Sequence, residues 1–302
     1  MSESLPELSS TAQPLNYSLI GKLVAASQVI GVGESTHGTH EFFDFKAKLF
    51  NELVTNQGFN TLLLEDSQEA CQEINNYIAA GVGNSYESMR RLYPVWRVEE
   101  IRLLVEDLRK NYRKNPVQFV GFDINQTEEN LKKREELMAL NIINYVKANP
   151  KAKALAWAHN VHVKYAGKSA DQRPMGGYLR KSLGRDYFAI GQFFGTGTFS
   201  ATIINAENPD WSNRKLDTVT VSHIPKTFLE ARLQDIDESN VYYLSHIGMS
   251  AFKELGEEYD ARSLGWGLVP SQIDDITDPT NVRRDFSLIT YFPTAIHSQP
   301  LT

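Results

Sequence analysis

Cysteine is almost missing from this chain. Among 302 residues only Cys71 is present, which excludes an internal disulfide and a thiolate metal cluster. Cys71 falls in the helical run 68–78 with no activating partner beside it, so it reads as a small buried residue and not as a nucleophile. A net positive charge is also missing. A net charge of -6 lacks the basic face that phosphate binding needs, so nucleic acid is not an expected partner. No uninterrupted apolar run approaches the roughly 18 residues of a spanning helix. The opening Met1-Ser2-Glu3-Ser4-Leu5-Pro6 has neither a basic nor an apolar signal region. These two absences predict a cytoplasmic protein without a membrane partner. Repeats and low-complexity segments are missing too, which removes solenoids and disordered binders.

What the chain does have is 41% hydrophobic and 23% charged residues, enough to bury a full core. After a polar lead-in over 1–16, short apolar runs alternate with longer amphipathic ones, the mark of βαβ units. Strands are predicted at 29–33, 61–65, 117–123, 154–158 and 187–194. Helices are predicted at 41–57, 67–80, 98–112, 128–148 and 177–183, with apolar residues such as Phe42, Phe45, Leu49 and Leu53 at helical spacing. Beyond Gly195 the pattern weakens. Strands are predicted at 199–205, 219–223, 241–245 and 285–292, a helix at 227–233, and loop from Gly256 to Val282. The expected class is α/β, a mostly parallel central sheet flanked by helices with a mixed C-terminal part. We read it as one domain over 17–302, with a motif-bearing core at 20–195 and residues 196–302 completing sheet and site.

The position of the polar residues is the informative signal. The first four predicted strands end in potentially catalytic side chains: Glu34 and His37, Glu65, Asp123, and His159 with His162 just beyond. In open parallel sheets, ligands bind at the carboxyl ends of the strands, where the loops converge. Histidine exchanges protons near neutrality, and a carboxylate beside it fixes its tautomer. Two histidines and two glutamates in one cleft suit water activation against an ester without a covalent intermediate. They suit a divalent metal equally, with His37, Glu65 and His159 as its ligands. A serine nucleophile is a poor fit, since Ser35 lacks the Gly-x-Ser-x-Gly frame. A dinucleotide loop fails as well, because the third glycine would fall at Thr36.

Each residue also has a plainer reading. Strand-end acids such as Asp123 often cap helices. His40 reads as surface or supporting, and His223, His246 and His297 as structural. Phe42, Phe43 and Phe45, like Tyr93-Pro94-Trp96, read as core packing. Trp96 and Arg97 still enter the candidate substrate-binding set, because Arg97 and Glu99 flank the tryptophan just before a helix. The run Lys132-Lys133-Arg134-Glu135-Glu136 reads as a solvated helix face.

Several of these segments resemble the erythromycin esterase-like family. Gly33-Glu34-Ser35-Thr36-His37 resembles its opening Gly-Glu-x-x-His motif, followed by Glu41-Phe42-Phe43. Leu64-Glu65, Gly121-Phe122-Asp123-Ile124 and Ala158-His159-Asn160-Val161-His162 resemble its next motifs in order. Met175-Gly176-Gly177-Tyr178-Leu179 and Gly184-Arg185-Asp186-Tyr187 resemble the pattern downstream. The resemblance spans about residues 20–195. It implies hydrolysis of an ester or lactone without a required cofactor. It makes His37 the base that activates water, has Glu65 and His159 orient or polarise it, and completes the shell with Glu34 and His162. Where macrolide-cleaving members carry an arginine in the first helix this chain has Lys46, placed with Asp123 among the expected substrate contacts. The long helical insertion of those members is missing, since only about 35 residues separate Asp123 from His159. A small-molecule or peptide substrate other than erythromycin is therefore expected. The same cluster also suits a tailoring enzyme acting on a natural product or peptide, or a metal- or ligand-binding protein without turnover.

Overall fold

Four-residue apolar stretches with every side chain buried, Val29–Val32, Thr61–Leu64 and Ala154–Trp157, are what a sheet covered on both faces requires. The computed structural model describes residues 11–80, 83–112, 117–124, 127–167, 169, 171–210, 212 and 215–301. Its strands are β1 (Gln13–Pro14), β2 (Val29–Val32), β3 (Thr61–Leu64), β4 (Gln118–Gly121), β5 (Ala154–Trp157) and β6 (Tyr187–Ile203). They continue with β7 (Asp217–Val221), β8 (Tyr242–Ser245), β9 (Tyr259–Arg262), β10 (Gly267–Leu268), β11 (Thr277–Thr280) and β12 (Leu288–Ala295). The main sheet has the order β1-β8-β12-β6-β2-β5-β3-β4. From β12 to β4 neighbouring strands are parallel, and β8 adds antiparallel to β12.

The pleat sends alternate side chains to opposite faces. Ile30, Val32, Leu62, Leu64, Leu155 and Trp157 join one core, which also holds apolar residues of the helices Tyr17–Val24, His40–Asn56, Gln68–Ala80 and Glu99–Tyr112. Val29, Leu63, Ala154 and Ala156 join the other, with the helices Arg134–Ala148 and Met175–Leu183. The α/β class and its parallel centre are thus those predicted.

The differences cluster in the second half. The two strands predicted at 187–194 and 199–205 are one continuous strand, β6. The Gly195-Thr196-Gly197 segment looks like a turn, yet β12 runs alongside it and holds it extended, pairing Thr294 with Thr196 and Ala295 with Gly197. The region 256–282, predicted as loop, contains β9, β10 and β11. β11 reads Thr-Asp-Pro-Thr, weak strand composition that only tertiary pairing with β9 stabilises. The last strand begins later than predicted, because Val282–Asp285 forms a short helix first. Finally, the predicted helix 128–148 is two helices, Glu128–Leu131 and Arg134–Ala148. That break puts Arg134 and Glu135 on a helix start that faces the sheet end.

Candidate active site

The loop after β2 is built by close backbone approach. A methyl group at Gly33 would fall 2.1 Å from Asn160 Oδ1, and one at Gly38 would fall 1.8 Å from the carbonyl oxygen of Ser200. Glycine at both places lets the loop fold back over the sheet. Four backbone donors then tie it down. Asn160 N–H donates to the Glu34 carbonyl (2.8 Å), Leu264 N–H to that of Ser35 (2.8 Å), and both Ser200 and Ser298 N–H to that of Gly38 (2.8 Å each).

Held in this way, Glu34 is fully buried and His37 is 8% exposed. His37 Nδ1 donates to Glu34 Oε1 at 2.7 Å, and Lys46 Nζ donates to Glu34 Oε2 at 2.5 Å. Lys46 also donates to the Ala158 carbonyl and lies over the Trp157 ring. Burial pulls the Lys46 ammonium down to about 8, against the opposing pull of Glu34. Lys46, expected to contact substrate, therefore stands fully buried behind Glu34, where its reach ends on that carboxylate.

Glu65 stands at the end of β3 with both oxygens engaged. Oε1 accepts from Arg134 Nη2 (2.8 Å) and forms an ion-pair contact with His162 Nε2 (3.2 Å), which also meets Arg134 Nη1 (3.1 Å), and Oε2 accepts from His159 N–H (3.1 Å). Burial opposes its ionisation, but His162, Arg134 and His37 outweigh that and hold the carboxyl well below the usual range. Asp123 grips Arg134 through two bonds of 2.9 Å. His162 Nδ1 donates to Glu135 Oε1 at 2.6 Å. Burial disfavours its charge, yet Glu135 and Glu65 push the imidazole up to about 10. His159 differs. Its Nδ1 accepts from Val161 N–H (3.3 Å), and burial together with His37 and His162 drives its pKa well down, leaving it neutral.

The His37 ring stacks edge-on against both His159 and Trp96, with centroids 5.1 Å away in each case. Beside it opens a cleft of about 150 Å³ lined by His37, Glu65, Asp123, Arg134, Trp96 and Trp266, among others. Trp96 serves two purposes: it packs on Phe43 in the core and donates Nε1–H to the Glu65 carbonyl (2.9 Å) while walling the cleft. Arg97 is half-buried beside it but does not line the cleft. The conditional metal set His37, Glu65 and His159 fits poorly. Both Glu65 oxygens already accept from N–H donors, His159 Nδ1 faces a backbone N–H, and no trio of such side chains among the described residues is arranged to hold an ion.

Sequence reasoning overlooked Arg134 and Glu135, which sit in a charged run indistinguishable from a solvated face. It also overlooked Asp66, buried beside Glu65, accepting from Ser67 and Tyr93 N–H (2.6 Å each). Burial raises the Asp66 carboxyl to about 6. Thr202, Leu216 and Trp266 wall the cleft from the C-terminal part, where no motif marks them.

The sequence model of the erythromycin esterase family matches residues 54–133 and 125–275. The chain belongs to the erythromycin esterase family. Hydrolase-type activity is what membership supports at that level. The family match takes in Glu65, Arg134, His159 and Trp266. Solved structures share the fold along the whole chain. A succinoglycan biosynthesis protein superposes with a TM-score of 0.78 at 18% identity, over 98% of this chain and 97% of that one. A Bacillus cereus protein gives 0.74 at 17% identity, covering 97% of each chain. A mutant of the erythromycin esterase EreC in its open conformation gives 0.69 at 16% identity, over 94% of this chain and 95% of that one. In the described residues no helix is long and apolar enough to cross a membrane.

Proposed function

We propose that this member of the erythromycin esterase family hydrolyses a small ester or lactone by general-base catalysis, with His37 as the base and no metal in the catalytic step. The observation that carries this reading is the 2.7 Å bond from His37 Nδ1 to the buried Glu34 carboxylate. It fixes the tautomer whose Nε2 lone pair is left for the cleft, and the carboxylate stabilises the imidazolium that forms. Lys46 holds the Glu34 side chain in place through its bond to Oε2. His37 Nε2 takes a proton from a water as its oxygen bonds to the carbonyl carbon and the C=O electron pair moves onto oxygen. Collapse of that oxyanion breaks the bond to the leaving alkoxide, which takes the proton back from His37. Neutral His159 keeps a second charge away from the nascent imidazolium. Glu65, bonded to Arg134 and the His159 N–H and paired with His162, acts as an anchor and takes no part in proton transfer.

The substrate is small in its reacting part. A cleft of about 150 Å³ is the size of a cavity that takes one benzene ring, room for an acyl group between the aromatic walls. The test is hydrolysis of phenyl acetate, p-nitrophenyl acetate and γ- and δ-lactones by the purified protein. Turnover should fall by about 10²–10⁴-fold in His37→Ala with an unchanged melting temperature. A wild-type protein inert on the whole panel, or a His37→Ala variant that retains its rate, would sink this reading.

A further inference from the structure

Arg134 has one N–H that the hydrogen bonds of the fold leave unused. Its Nε and Nη2 are spent on Asp123 and Glu65 at 2.8–2.9 Å. Nη1 directs one hydrogen at His162 Nε2, 3.1 Å away. A guanidinium amino group carries two hydrogens, and among the described residues the second has no hydrogen-bond partner. The Arg134 side chain is 20% exposed, and the surface it shows lines the same cleft as His37.

We propose that Arg134 is a further catalytic residue: its Nη1–H binds the substrate carbonyl oxygen and stabilises the oxyanion formed as water attacks from the His37 side. A preorganised donor of this kind acts where charge develops and needs no reorganisation during the step. Here the preorganisation is visible. Asp123 grips the guanidinium through two bonds, Glu65 adds a third, and the break before Arg134 starts the helix close enough for the side chain to reach. A lysine cannot reproduce it, since its ammonium spent on Asp123 leaves no second arm for a ligand.

The inference rests on the general-base reading for its chemistry, and the experiment separates the two. Phenylboronic acid takes up water at boron, giving a tetrahedral anion that mimics the attacked carbonyl, and ¹¹B NMR distinguishes it from the trigonal acid. The wild type should capture the tetrahedral form. Arg134→Lys, with Arg134→Gln as the harsher variant, should weaken capture by about 10²–10³-fold. In ester turnover, Arg134→Lys should lower kcat by a similar factor with KM changed only a few-fold. A residue that merely held Glu65 in place would not split kcat from KM in that way. No tetrahedral boronate with the wild type, or full capture and full kcat in Arg134→Lys, overturns the inference. Capture kept in Arg134→Lys but lost in His37→Ala removes Arg134 alone. Capture lost in Arg134→Lys while His37→Ala still hydrolyses esters removes the base assignment and leaves Arg134 standing.

Discussion

Lys46 and Glu34 form an ion pair of 2.5 Å in which neither side chain touches solvent. Such a pair adds little as a pair, because desolvation offsets its attraction, but breaking it strands a buried charge. Lys46→Met is therefore expected to destabilise the fold by about 3–5 kcal/mol. Adding Glu34→Gln to it should restore much of that loss, since no charge is then left alone. Urea unfolding of the two single variants and the double variant measures the coupling. Additive losses would show that the pair is not the unit we describe.

The protonation of His162 gives a stability signature. Its imidazole ionises near 6.5 when free and is pushed up to about 10 in the fold. A raised folded value means the native state holds a proton the unfolded chain has released. The contribution is full below pH 6.5 and is lost as pH rises toward 10. Lys46, pulled down to about 8, works in the opposite sense, because losing its proton relieves the cost of burying it; its effect begins near pH 8. Between pH 6.5 and 8, His159, held neutral in the fold, adds a small opposing rise that ends once the unfolded imidazole has lost its proton, so toward pH 8 the fall belongs to His162. Denaturant midpoints taken across that window should decline in the wild type and stay nearly level in His162→Gln. Equal declines in both proteins would remove the charged His162 from this account.

Much of this site was legible because strand ends are. Glu34, His37, Glu65, Asp123 and His159 each follow a run of apolar residues, and a parallel sheet brings such ends together whatever the loops do. Their partners were not legible for a related reason. Arg134 and Glu135 lie in Lys-Lys-Arg-Glu-Glu, where helical periodicity offers no sign that the helix restarts at Arg134. Lys46 sits on a helix whose apolar face contains it, and only the depth of packing shows that its ammonium meets Glu34. Trp266 and Leu216 come from segments with weak strand composition, placed by β6 running on through Gly195 and Gly197. A turn and a held-open strand have the same glycines.

A distant contact is open to test by one substitution. Ser298 N–H donates to the Gly38 carbonyl, and the segment around it also gives Ile296 N–H to Glu41 and takes His40 N–H on the Ile296 carbonyl. Ser298→Pro deletes the first donor. We expect ester turnover to drop about 10-fold, the effect of roughly 1.4 kcal/mol on a barrier, with a smaller proportional change in melting temperature. Unchanged kcat in a folded Ser298→Pro protein would show that the His37 loop holds its shape without this tie.

The ties on the His37 loop also span most of the sequence. Ser35 is fastened by Leu264, and Gly38 by Ser298, so the loop after β2 depends on segments far along the chain. A chain without those distant segments would carry Glu34, His37, Glu65 and His159 but lack the backbone bonds that seat the base.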